Sequence, residues 1–176
     1  VNDSFVFIVM ICTHSSRIIE GAENDMSKSK ADKSSAVFAA LHQKELARRV
    51  KQGSLDENEA GKLRLSFEYT FAAKIKRKWR LDCVNLHTMT GVEIDGAVFK
   101  GKYGGHTSGV GYTKNREKDV ALAVHGFGVF RITTAQMTEE LVRKFVDFQL
   151  ARIVIEAPNG DRWVFYRFGE SAFKRK

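Results

Sequence analysis

Apolar residues recur at helical spacing from Ser34 or Ser35 to about Gln52. Phe38, Leu41, Leu46 and Val50 make one face, and Lys44, Arg48 and Lys51 point away from it. Either serine can cap this helix, and Gly53 stands where a helix C-terminus needs a left-handed residue. Ser54-Leu55-Asp56-Glu57 is a capping-box sequence that starts a second, short helix, closed by Gly61.

From Leu63 the period changes to two. Leu63, Leu65, Phe67, Tyr69 and Phe71 alternate with Arg64, Ser66, Glu68 and Thr70, which predicts a half-buried strand with those five side chains on one face. Alternation resumes at Ile75, Trp79, Leu81 and Cys83. A basic amphipathic helix through 62–80 is the alternative, because no glycine or proline forbids it.

Residues 91–111 hold seven of the 14 glycines, a density that predicts turns and backbone close to a ligand rather than a long helix. Val120 to Ile132 reads as a central strand, bent at Gly126 and Gly128. Thr133 or Thr134 is expected to cap a long helix near 134–149, with Met137, Leu141, Val142, Phe145, Val146 and Phe148 at three- and four-residue steps. Ile153-Val154-Ile155 and Trp163-Val164-Phe165-Tyr166 flank Asn159-Gly160, the pattern of a hairpin. The order predicts an α+β class: an antiparallel or mixed sheet, two N-terminal helices, one long helix near 134–149 and a C-terminal β-hairpin.

Composition bounds this picture. At 176 residues with 43% hydrophobic content, 13 Phe and a single Pro, the chain suits one domain and excludes collagen-like, proline-rich and disordered classes. The net charge is +8, unevenly spread. Residues 1–25 carry one base against four acids, leaving 28 bases against 17 acids in the remainder. Residues 1–33 are expected to form a poorly packed extension, with Met26 a second candidate start, 34–173 a single α+β domain and 174–176 a basic tail. Phe5 to Cys12 is too short to span a bilayer and lacks the basic flank of a signal peptide, so no membrane partner and a cytoplasmic location are expected. Cys12 and Cys83 fall in no zinc or redox spacing.

The excess charge is clustered. Residues 74–80 read Lys-Ile-Lys-Arg-Lys-Trp-Arg, and Lys100, Lys102, Lys114, Arg116 and Lys118 flank the glycine-rich segment. Such clusters suit phosphates, and aromatic rings among them suit bases. The expected partner is therefore nucleic acid, held by Lys74, Lys76, Lys78, Trp79, Arg80, Lys100, Lys102 and Tyr103. The plain alternative is a solvated charged face.

Gly126-Phe127-Gly128 within His125 to Ile132 resembles the first aromatic motif of RNA recognition motif domains. Leu81 to Leu86 resembles their second motif in its Asn85-Leu86 ending. The resemblance covers about 80 residues and implies that Phe127 stacks on RNA, although Asp82 and Val129 stand where that family has further aromatics. The alternative for Phe127 is the core.

A second function class is a small metal-dependent nuclease or other phosphodiester hydrolase. His87, His106 and His125 with Asp82, Glu93, Asp95 and Asp119 offer the residue types of acid–base or metal chemistry, and His106 and Asp95 lead because they sit at glycine loops. Their spacing matches no metal motif, so no ligand set is assigned, no cofactor is evident, and a divalent metal is expected only for the nuclease. No phosphate-loop or nucleophile-elbow sequence is present. Cys83 reads as core. A third class is a protein-binding inhibitory module that meets an acidic partner through Trp163, Phe165 and Tyr166.

Overall fold

The computed structural model describes residues 11–13, 33–71, 77–95, 109–156 and 162–166. Its elements are β1 (Ile11–Thr13), α1 (Lys33–Lys51), α2 (Glu57–Lys62), β2 (Ser66–Thr70), β3 (Arg80–Asn85), β4 (Thr90–Asp95), α3 (Gly109–Val124), β5 (Gly128–Thr133), a 3-10 turn (Thr134–Gln136), α4 (Glu139–Ala151), β6 (Arg152–Glu156) and β7 (Arg162–Tyr166). One sheet has the order β2-β3-β4-β5, antiparallel except for the parallel pair β4 and β5 that α3 connects. A second, antiparallel sheet has the order β1-β7-β6, in which Ile11 to Thr13 pair with Val164 to Arg162. The expected α+β class, mixed sheet, leading helices and C-terminal hairpin are all present.

The four-stranded sheet is packed on both faces. On one, Cys83, Val92, Ile94 and Ile132 meet Phe38 of α1 and Val142 and Phe145 of α4. On the other, Tyr69, Leu81, Val84 and Phe127 meet Leu122 of α3. Aromatic edges lock the first layer, with Phe145 5.6 Å from Phe38 and 5.1 Å from Phe130, both near perpendicular. Two polar side chains in this layer pair with each other: His42 Nε2 lies 2.7 Å from Gln149 Oε1, and Gln149 Nε2 donates to Thr90 Oγ1 at 3.2 Å, while His42 Nδ1 is buried with no hydrogen-bond partner among the described residues. Burial lowers the His42 pKa, so the ring is held neutral. Cys83 is buried, with its Sγ 3.8 Å from the carbonyl oxygen of Ser35, in keeping with a core role.

Residues 66–70 and 80–85 are strands, which excludes the amphipathic helix through 62–80 over the described residues. The single apolar face expected from Leu63 to Phe71 is corrected. Leu63 enters a cluster with Leu46, Leu55 and Val146, Phe67 packs on the α1 and α4 side, and Tyr69 and Phe71 on the α3 side. The switch falls at Glu68, whose φ of 50° turns the strand between Phe67 and Tyr69.

Three further expectations are corrected. Val120 to Ile132 is not one strand: α3 runs to Val124, and Gly126 (φ +76°) ends it, with Phe127 N–H donating to Leu122 O and Gly126 N–H to Ala123 O, both at 2.9 Å. Its apolar residues are not uniformly buried; Val120 and Val124 are 63% and 65% exposed. The glycine-rich segment is not all turn, because Gly91 lies in β4 and Gly109 and Gly111 open α3. Finally, Thr133 heads only the 3-10 turn, where its N–H donates to Gln136 Oε1 at 2.9 Å. Thr138 caps α4 by accepting from Leu141 N–H at 3.2 Å.

Candidate active site

The parallel pair β4 and β5 places charge where strand alternation demands it. Val92 and Ile94 enter the core with Ile132, so Glu93 and Asp95 of β4 and Arg131 of β5 face α3. Register sets Glu93 beside Arg131. Two consecutive residues of α3 answer them. Lys118 Nζ lies 2.5 Å from Glu93 Oε1 and also donates to the carbonyl of Arg80, while Asp119 Oδ1 accepts from Arg131 at 2.6 Å. Arg131 reaches Asp95 Oδ1 at 3.2 Å, and Arg116 reaches Asp119 Oδ2 at 3.1 Å. From β3, Asp82 Oδ2 accepts the Ile94 N–H at 2.7 Å, which pins that carboxylate next to Glu93.

Glu93 is the most constrained of these groups, with its side chain 9% exposed and that of Lys118 13%. Burial pushes the Glu93 carboxyl up to about 7; Lys118 and Arg131 pull against this and the charge of Asp82 adds to it. The Arg131 guanidinium, despite the opposing effect of burial, is held above its ordinary range by Asp119 and Asp95. A cavity of about 290 Å³ opens beside the cluster, lined by Arg116, Asp119 and Arg131 together with Leu122, Phe127 and Val129. Among the described residues, no group of three or more His, Cys, Asp and Glu side chains is arranged to hold a metal ion.

Of the expected site residues, Asp95 belongs to this cluster, and Arg80 joins it through its backbone carbonyl. The Arg80 side chain turns outward to Glu68 at 3.1 Å. Lys78 is exposed. Trp79 is half-buried, stacked on Phe71 at 6.2 Å, with the Arg77 guanidinium 5.3 Å from its ring. Arg77 in turn lies 4.0 Å from Glu117 of α3, so the described end of the basic run borders the same helix. Lys74, Lys76, Lys100, Lys102, Tyr103 and His106 lie outside the described residues.

The histidines separate from the cluster. His87 is exposed in the β3–β4 turn, roughly 20 Å along β4 from Asp95. His125 packs its edge on Phe71 at the end of α3, where burial lowers its pKa. Phe127 is 7% exposed in the core, and β4 separates β3 from β5, so the two stretches resembling RNA recognition motifs do not form one stacking surface. Among the hairpin aromatics, Tyr166 is held inward against Arg152 and Phe148.

Sequence reading placed Lys118 in a generic basic cluster and did not single out Arg131. The usable signal was a charge inside an apolar strand: Glu93 in Val-Glu-Ile and Arg131 in Phe-Arg-Ile. Burying such a side chain is costly unless a partner is supplied. No protein-family model, curated protein or solved structure matches this chain.

Proposed function

We propose that the protein is a metal-assisted phosphodiester hydrolase acting on nucleic acid. One observation carries this reading: a nearly buried carboxylate, Glu93, is held next to a second, Asp82, and against the ammonium of Lys118 on the face of a strongly basic chain. A Mg²⁺-type ion keeps several waters and takes one or two protein carboxylates, with substrate phosphate oxygens completing its shell. Asp82 and Glu93 suit that role, and a third protein ligand is not required. When bound, such an ion lowers the pKa of a coordinated water and offsets phosphate charge.

The residues of the chain divide the remaining work. Lys118, beside Glu93, orients the attacking water and stabilises negative charge growing on the phosphate. Water oxygen bonds to phosphorus and gives up a proton to solvent, the ester P–O bond breaks, and the departing oxygen takes up a proton from solvent, so that the elements of water are added across the bond. Arg116, which lines the cavity, and the basic run ending at Arg80 supply phosphate contacts. No helix among the described residues is long and apolar enough to cross a membrane.

A second reading is nucleic-acid binding without hydrolysis, favoured by the exposed Arg77 and Lys78 beside Trp79. Incubating the full chain with single- and double-stranded DNA and RNA, with Mg²⁺, Mn²⁺ or EDTA, separates the two. Hydrolysis predicts cleavage that EDTA stops. Salt-sensitive binding with intact substrate under every condition supports the second reading instead.

A further inference from the structure

We infer that Arg131 is a positioning residue: by bridging Asp95 at the end of β4 and Asp119 on α3, it fixes the helix so that Lys118 stays on Glu93. This inference rests on the hydrolase reading for its kinetic consequence, though not for its structural one.

The need for such a clamp follows from how α3 is packed. Among the described side chains of α3, Leu122 is deeply buried with Ala121 packed on the same cluster, and Val120 and Val124 face outward. Apolar contacts of this kind hold a helix near a sheet but set rotation about the helix axis only loosely, because they are non-directional. Directional contacts do set it. Lys118 and Asp119 are adjacent, carry opposite charge and reach different partners: Glu93 on β4 and Arg131 on β5. A turn of the helix that satisfied one with the wrong strand would bring Asp119 to Glu93 or Lys118 to Arg131, like charge against like. The pairing therefore admits one rotation and opposes its neighbours.

Arg131 is suited to this by chemistry as well as place. Its two terminal nitrogens point to two carboxylates, Nη1 to Asp95 and Nη2 to Asp119, with the side chain 23% exposed. A lysine would supply the charge without the planar fork that spans both. Arg116 also contacts Asp119, but from the same helix, and so cannot tie α3 to the sheet.

The test uses the full chain with Arg131→Gln, Arg131→Lys and Asp119→Asn. Kinetics of cleavage are read alongside hydrogen exchange of the α3 amides, with β3 and β4 amides as the internal reference. In Arg131→Gln and Asp119→Asn, kcat should fall by about ten- to a hundredfold while KM stays within about threefold, as expected when a supporting contact is lost. Exchange in α3 should quicken by about tenfold or more relative to the reference strands. Arg131→Lys should rescue neither. Values of kcat and α3 exchange within about twofold of wild type in the folded variants overturn the inference, as does full rescue by Arg131→Lys. Should Arg131→Gln fail to fold, Asp119→Asn and Arg131→Lys decide. If the wild-type chain cleaves nothing, the hydrolase reading fails, and α3 exchange alone still decides the role of Arg131.

Discussion

The ammonium of Lys118 lies 2.5 Å from a carboxylate oxygen of Glu93, and neither side chain is more than 13% exposed. A salt bridge removed this far from water gains little net stability, since desolvation offsets most of the attraction. Replacing both groups by apolar ones would serve the fold as well or better. On the proposed hydrolase reading the pair is chemistry held ready within β4, and its cost is measurable.

Glu93 should make the protein less stable as pH rises. Its carboxyl titrates near 7 rather than near 4.5, so between those values the folded state holds more protons than the unfolded chain. Stability must then fall with increasing pH across that window, by on the order of 2–3 kcal/mol from this group. Glu93→Gln lacks the effect. Its melting temperature, relative to wild type, should climb by about 5 °C between pH 5 and pH 8; a difference that is flat or declines with pH contradicts the assignment.

Gly128 and Gly61 should respond oppositely to alanine. A Cβ at Gly128 would stand 2.3 Å from an Arg152 nitrogen and 2.5 Å from Phe148 Cζ, whereas nothing lies within 4 Å of one at Gly61. Chemical denaturation should show Gly128→Ala losing about 1–3 kcal/mol through overpacking. For Gly61→Ala, in a helix, a gain of up to about 1 kcal/mol is expected. Equal effects at the two sites would show that packing around Gly128 has been misjudged.

Arg152 is 6% exposed and has no carboxylate among its described partners. Its Nε donates to Thr88 O at 2.9 Å and its other nitrogens to Gly126 O and Tyr166 Oη, with the Phe148 and Tyr166 rings 5.5 and 4.9 Å away. Gly126 O belongs to the C-terminal turn of α3, whose partial negative charge offsets the guanidinium. Arg152→Met removes the charge and strands two buried carbonyls, so unfolding free energy should drop by about 2–4 kcal/mol. A loss below about 0.5 kcal/mol would mean that these carbonyls find other partners.

Phosphate contacts should show in salt dependence. Neutralising Arg77, Lys78 and Arg80 together should weaken binding to every sequence and reduce the slope of log affinity against log salt by about 2–3. Arg80 is paired with Glu68, so the lower end of that range is the more informative. A slope equal to wild type would place the polyanion elsewhere.

Much of the fold was legible because its signals are local. Gly53, which ends α1 with φ +69°, and the apolar runs of β6 and β7 on either side of Asn159-Gly160 each act within a few residues. Helix α3 was hidden for a physical reason: its exposed Val120 and Val124 join the apolar residues of β5 into one run, and only Gly126, in its left-handed conformation, divides them. The site suffered from that misreading. Glu93 was named only among several acids suited to acid–base chemistry, in a stretch read as turns, and its partner lies 25 residues away on the helix that was read as loop and strand. Arg131 was concealed in the same stretch, since its role depends on two parallel strands that no local pattern brings together.

The most direct test of the central claim is single-turnover cleavage of a nucleic-acid substrate by wild type and Glu93→Gln, with substrate binding measured on the same samples. The proposed chemistry predicts divalent-metal-dependent cleavage by wild type and a loss of about a hundredfold or more in folded Glu93→Gln, at similar substrate affinity. Cleavage by Glu93→Gln at the wild-type rate, or by wild type without metal, would contradict it.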